Sequence, residues 1–311
     1  MLKSVRSPVV GACLGALFGL ALLPPAMAQT GPGIPRTADG HPDFAGIWST
    51  RWLTPTERPA SVKTLVLDQS GADRLKKEIL DRAEANNPLD PELAAPEGDT
   101  LAIVRGEFRS SLIIDPPDGK LPYTDKGRAA LRGYISGLDG PEQRMTTERC
   151  LGGVAWAPMQ IRSASMLHRF VMTPAFIVLH TEAYDETRII PLSTQHQPAA
   201  IERPGGDSIA RWEGDVLVVD TRNLNPKFAI HGIVTVNSPA ATIVERFEMA
   251  GPDEIVYTYT ITDPAYYAQP WTGQYSLTRT TDEMYEFACH EGNYAMPGML
   301  AGARRFEPPV K

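Results

Sequence analysis

Thr242-Ile243-Val244-Glu245-Arg246-Phe247-Glu248-Met249 is the stretch on which the reading of this chain turns. In a β-strand alternate residues share a face. One face here carries Ile243, Glu245, Phe247 and Met249; the other carries Thr242, Val244, Arg246 and Glu248. Glu245 therefore falls among apolar neighbours, on the side expected to form a core. A carboxylate there costs free energy unless it is paired, protonated or hydrated.

Working outward, the segment belongs to a series of hairpins. Strands over 241–249 and 254–262 flank Ala250-Gly251-Pro252-Asp253. Upstream, 208–212 and 215–220 flank the two-residue loop Glu213-Gly214, with glycine supplying the positive φ such loops need. Before that, 175–182 turns at Tyr184-Asp185-Glu186 and returns over 188–191. Downstream, 274–280 and 284–289 flank Thr281-Asp282-Glu283. An antiparallel meander of about eight strands loses its edges most economically by closing on itself. The expected fold is mainly β: a lipocalin-like barrel over 166–292, with a two-sheet β-sandwich as the alternative.

The region 29–165 reads as an irregular, partly helical extension. It contains a first strand around Gly46-Ile47-Trp48, a Gly-x-Trp of the kind that plugs the closed end of such barrels. Residues 68–85 have helical spacing with Ser70 as candidate N-cap, and 106–114 reads as a strand. Asp115-Pro116-Pro117-Asp118-Gly119 is a turn, and Thr124 or Asp125 caps a helix running to Tyr134. The Gly/Pro/Met-rich tail 293–311 is expected to pack on the barrel.

The chain has 311 residues and a formal charge of −7. Residues 1–28 have the form of a secretory signal: Lys3 and Arg6, then an apolar run, then Ala26-Met27-Ala28 as the cleavage site. Removing them takes away two cations, giving a mature chain of charge −9, expected in the periplasm or outside the cell. An acidic, unclustered balance argues against nucleic acid as a partner. No second long apolar run follows, so the mature chain is not expected to be membrane-embedded. Cys150 and Cys289 survive cleavage. In an oxidising compartment two lone cysteines most often pair; two free thiols are the alternative.

Several motifs together are familiar. Asp39-Gly40-x-Pro42-Asp43-Phe44-x-Gly46-Ile47-Trp48, Arg211-Trp212-Glu213-Gly214-Asp215-x-Leu217-Val218-Val219-Asp220-Thr221, Glu245-Arg246-Phe247, Asp263-Pro264, Pro270-Trp271 and Cys289-His290-Glu291-Gly292-Asn293-Tyr294 resemble an uncharacterised family of secreted bacterial proteins. The likeness runs over nearly the whole mature chain. Val216 departs from it, since the family more often carries Thr there. His290 belongs to one branch, because another lacks a histidine after the cysteine. The resemblance implies a shared fold and carries no chemistry.

Glu245 is the first candidate catalytic residue. In a ligand cavity it would serve as a general acid–base; paired with Arg188 or Arg211 it would be structural. His231, in a loop between hairpins, and His290, after the last strand, are the candidate proton-transfer partners. Their plainer alternatives are a solvated loop side chain and a residue that locks the tail. His180 and Glu182 share a face by i, i+2 spacing, as a base and its orienter or as a local pair at the rim. Trp212, Tyr257, Tyr259, Arg188 and Tyr294 are candidate ligand contacts, and Trp48, Trp271 and Tyr275 add aromatic surface. No histidine spacing suits a metal, and no phosphate or dinucleotide fingerprint is present, so no metal or cofactor is expected. The expected function is a cofactor-independent acid–base enzyme (lyase, isomerase or hydrolase) acting on a small organic molecule. The alternative is a non-catalytic binding protein for an apolar or aromatic ligand. Oligomeric state is not legible.

Overall fold

A computed structural model describes residues 33–86, 98–136, 146, 149–159, 167–201, 203–225, 230–231 and 235–305. The expected signal segment lies outside them. Nine strands form the frame: β1 Gly46–Ser49, β6 Leu167–Met172, β7 Phe176–Thr181, β8 Glu186–Pro191, β9 Asp207–Glu213, β10 Val216–Arg222, β13 Thr242–Gly251, β14 Glu254–Thr262 and β15 Trp271–Arg279. β5 Ile113–Asp115 joins β15 as a side branch. β2 Val66–Leu67, β3 Ile103–Val104 and β4 Glu107–Arg109 make a small separate sheet, and β11 Ile230–His231 pairs with β12 Thr235–Val236.

The nine strands follow one another round a ring, β1-β6-β7-β8-β9-β10-β13-β14-β15, and β15 pairs back onto β1. All these pairings are antiparallel except where β8 meets β9. An odd number of strands cannot alternate direction all the way round, so one junction must be parallel. It falls between β8 and β9, where a parallel bridge joins Leu192 to Ala210 and the Ser193 N–H donates to the Ala210 carbonyl at 3.1 Å. The result is a nearly closed barrel with a seam.

Cross-strand register sorts the interior into layers. Ser208, Thr221, Ile243, Ile261 and Trp271 lie in one row, and Ala210, Val219, Glu245, Tyr259 and Gly273 in the next. Trp212, Leu217, Phe247, Tyr257 and Tyr275 form the third, followed by Met249, Ile255 and Leu277. The expected inward face of β13 is the buried one: Ile243, Glu245, Phe247 and Met249 are all buried. At Gly273 a Cβ would sit 2.3 Å from the Tyr259 ring, so only glycine lets that ring lie across β15.

At the Met249 end, Trp48 is fully buried and its Nε1–H donates to the Phe44 carbonyl at 2.9 Å. The Arg279 guanidinium lies 4.2 Å from the Trp48 ring centroid, a cation–π contact. Gly46 makes room for that cation: its φ is +128°, and a Cβ there would lie 2.6 Å from Arg279 Nη1.

The extension is partly helical, as expected. Helix α1, Gln69–Asn86, is capped by Asp68 rather than by Ser70, the Gly71 N–H donating to Asp68 Oδ1 at 2.7 Å. Its Ala72 and Leu75 pack with Leu53 and Leu101 in a small second core. Helix α2, Asp125–Ser136, is capped by Thr124, whose hydroxyl accepts from the Gly127 N–H.

Three local expectations are corrected. The strand expected over 106–114 is broken into β4 and β5, in different sheets, because the Ser110 and Ser111 hydroxyls bond to the Thr64 and Ile113 carbonyls at the break. The β9–β10 loop is Gly214-Asp215, one residue later than read, since Glu213 pairs with Val216. The third hairpin does not form: 280–288 has no strand, and Cys289 opens a short helix α3, Cys289–Gly292. Both edges of β15 are already taken by β14 and β1, so a strand there would have nothing to pair with. The expected disulfide Cys150–Cys289 is present, with Cα atoms 5.8 Å apart. It joins the segment before β6 to this helix. After it, Ala295–Arg304 forms helix α4. Among the described residues no helix is long and apolar enough to cross a membrane.

Candidate functional site: a buried Arg–Glu–Tyr cluster inside the barrel

Glu245 has 0 % exposure and sits opposite the seam strand β8. The inward face of β8 alternates Glu186, Arg188 and Ile190. Arg188 crosses the interior and binds Glu245 with two parallel hydrogen bonds, Nη1 to Oε1 at 3.0 Å and Nη2 to Oε2. The Tyr257 hydroxyl, one row away and diagonal to Glu245, donates to Oε1 at 2.7 Å. Arg188 also donates from Nη2 to Thr221 at 3.0 Å and to Ser208 at 3.0 Å, and from Nε to Ser208 at 3.3 Å. The Ser208 and Thr221 hydroxyls are 2.8 Å apart.

The electrostatics follow from burial. Burial works against the charge on Arg188, and the Glu245 carboxylate more than offsets it, holding the guanidinium above its ordinary range. Burial first, and the neighbouring Glu245 carboxylate second, push the Tyr257 phenol well above its usual value, so it stays a proton donor to that carboxylate. A planar fork on a carboxylate with a third donor satisfies both buried charges.

A stretch of main chain shares the interior. Residues 152–155 and 157–159 are buried. The Met159 N–H donates to the Tyr257 hydroxyl at 3.0 Å, and its carbonyl accepts from the Tyr275 hydroxyl at 3.0 Å. The Ala155 carbonyl accepts from Arg188 Nη1 at 3.4 Å. Glu186 Oε2 accepts from the N–H groups of Gly153 (3.0 Å) and Ala155 (2.8 Å). Its other oxygen, Oε1, is buried with no partner among the described residues. Burial raises this carboxyl above its ordinary range against the pull of the backbone N–H groups.

The residues expected from the sequence are thus only partly assembled. Glu245, Arg188 and Tyr257 form one cluster, with Tyr259 beside Glu245 in the same row. Trp212 is two strands along and one row away, stacked on His41 with centroids 4.3 Å apart. His231 lies on β11 opposite Thr235, and its side chain is outside the described residues. His290 is exposed on α3, and Tyr294, 85 % exposed, follows it. Neither is hydrogen-bonded to the cluster among the described residues. His180 and Glu182 do not pair: His180 Nδ1 meets the Thr187 hydroxyl at 2.9 Å, and Glu182 accepts from the Tyr285 N–H at 3.0 Å.

Glu186, Ser208 and Thr221 are not singled out by the sequence. A signal for each exists in hindsight. Glu186 is two residues from Arg188, and Ser208 faces Thr221 across a hairpin, so both sets share inward faces once Arg188 is known to point in. Among the described residues no group of three or more His, Cys, Asp or Glu side chains is placed to hold a metal ion.

Fold and site together define a nearly closed β-barrel with a buried, fully paired Arg–Glu–Tyr cluster. The chain matches no protein-family model, no curated protein and no solved structure.

Proposed function

We propose that the barrel is a non-catalytic binding protein for a small apolar or aromatic ligand, acting in the periplasm or outside the cell. The observation that carries this reading is the saturation of Glu245. Both its oxygens are engaged by Arg188 and Tyr257, and no histidine of the described residues is bonded to it. An acid–base catalyst needs a proton-transfer path to substrate. A binding site needs a largely aromatic wall with a few fixed polar groups, and the buried rings of Phe247, Tyr257, Tyr259, Trp271 and Tyr275 are the interior side chains from which such a wall would be built. The signal-like leader and the resemblance to a secreted family support export.

The test is a fluorescence titration of the mature protein with N-phenyl-1-naphthylamine, a neutral aromatic probe, and with a fatty acid. Saturable one-to-one binding is expected for at least one of them. Absence of saturable binding for both overturns the reading. Glu186 favours a second reading, the acid–base enzyme, because it is a buried carboxyl raised above its ordinary range with one unpartnered oxygen. Turnover of a bound compound that is lost in Glu186→Gln while binding persists would establish that reading instead.

A further inference from the structure

Among the buried side chains outside the Arg–Glu–Tyr cluster that have unused hydrogen-bonding groups, Asn237 and Trp271 lie near one another in the fold. Asn237 is 2 % exposed, and neither Oδ1 nor Nδ2 has a partner among the described residues. Trp271 is 0 % exposed, and its Nε1–H likewise has none. Buried polar groups are almost always bonded, and exceptions call for an explanation.

Tyr267 links the two segments. Tyr267 donates its hydroxyl to the carbonyl of Val236, the residue before Asn237, at 2.8 Å. The Tyr267 ring meets the Trp271 ring edge-on, centroids 5.8 Å apart, and stacks on Tyr123 at 4.9 Å. On the other side of Asn237, Ser238 is locked to Asp263 through its N–H (2.6 Å) and its hydroxyl (2.8 Å). The backbone is therefore held on both sides of Asn237.

We propose that Asn237 and Trp271 form the polar end of the ligand site, and that it takes a neutral, planar molecule carrying a carboxamide or lactam. This rests on the binding reading above. The indole N–H only donates, so the ligand must present an acceptor. The Asn237 amide both donates and accepts, and an adjacent C=O and N–H on the ligand answer it. Asp263, the carboxylate bonded into this corner among the described residues, is filled by Ser238 and by the Ala265 N–H at 3.1 Å. The rings of Tyr123, Tyr267, Trp271 and Tyr259 favour a flat partner.

The experiment follows the Trp271 indole N–H and the Asn237 side-chain amide by ¹⁵N NMR during titration of the mature protein with benzamide, with toluene and benzoate as controls. Both signals are expected to move with one shared Kd, and benzamide to bind about tenfold tighter than either control. Asn237→Leu and Trp271→Phe are each expected to weaken benzamide about tenfold, and Asn237→Leu to leave N-phenyl-1-naphthylamine within about threefold. Asn237→Leu keeps the size of the side chain and removes unpaired groups, so its melting temperature is expected to hold or rise. Benzamide binding no tighter than toluene, or binding unchanged in both variants, overturns the inference; a buried water satisfying these groups gives that result. If N-phenyl-1-naphthylamine binds while benzamide shows no preference, only this inference falls. If no probe binds, the binding reading falls with it.

Discussion

The barrel is held together in two different ways. From β9 through β10, β13, β14 and β15 the strands pair in antiparallel register, with one shift between Met249 and Gly251. At the seam, β8 and β9 share a single parallel bridge among the described residues. Along the wall the backbone does the joining, and the buried side chains are mostly apolar. At the seam Arg188 does it, reaching Ser208 on β9, Thr221 on β10 and Glu245 on β13. An odd-stranded ring must weaken its ladder somewhere, and here a charged side chain spans the weak junction. Glu245 is best understood as the counter-charge that lets that arginine lie inside.

The largest effect should come from separating that pair. Glu245→Leu alone leaves Arg188 buried without its counter-ion and should cost about 3–5 kcal/mol, measured by urea denaturation. Arg188→Met should cost a similar amount, and the double variant should recover most of the loss. If instead the double variant is as unstable as the two losses added, the seam depends on the Arg188 bonds to Ser208 and Thr221, and the ion pair is incidental.

The wall has a buried polar group of the opposite kind, neutral and locally satisfied. His168 on β6 is fully buried, with Nε2 3.0 Å from the Thr50 hydroxyl and Nδ1 2.8 Å from that of Thr181. Burial pushes its pKa down to about 4. The unfolded chain therefore binds a proton that the folded one refuses. The stability this group contributes is complete above about pH 6.5 and is lost as pH falls toward 4, by about 2–3 kcal/mol. Denaturation midpoints at pH 7 and pH 4.5 measure the loss, and His168→Gln should flatten it. An unchanged slope in that variant would place the acid sensitivity elsewhere.

A smaller effect tests how tightly the wall is packed. Gly273→Ala puts a methyl group into the Tyr259 ring and should cost about 1–3 kcal/mol, read as a lower melting temperature. A neutral result would mean that Tyr259 swings away freely, and the aromatic wall next to Glu245 would be less rigid than its packing implies.

Local pattern carried much of this architecture. Alternation placed Ile243, Glu245, Phe247 and Met249 on one buried face, because side chains on a strand have a period of two wherever it is paired. Turn chemistry placed the β9–β10 turn to within one residue and the β13–β14 turn to within two, while the third expected hairpin does not form. The lone cysteine pair pointed to the disulfide, since only two cysteines lie outside the expected leader. The expectation failed where an outcome depended on what was already paired. Residues 280–288 have strand-like composition, yet β15 had no free edge for them. Ser70 and Asp68 are both good caps, and only the helix start chose between them.

The sequence by itself determined that a carboxylate enters the core and that strands surround it. Only the tertiary structure decided what meets it. Arg188 and Glu245 are 57 residues apart, and no spacing rule links them. They meet because nine strands close into a ring whose seam strand faces β13 across the interior. The same holds for the main chain at 152–159, which bonds to Arg188, Tyr257 and Tyr275, and for Asn237, an asparagine like any other until both ends of its neighbourhood are tied down. Strand faces are a local property of the backbone. Which faces look at each other is a property of closure, and the character of Glu245 follows from closure.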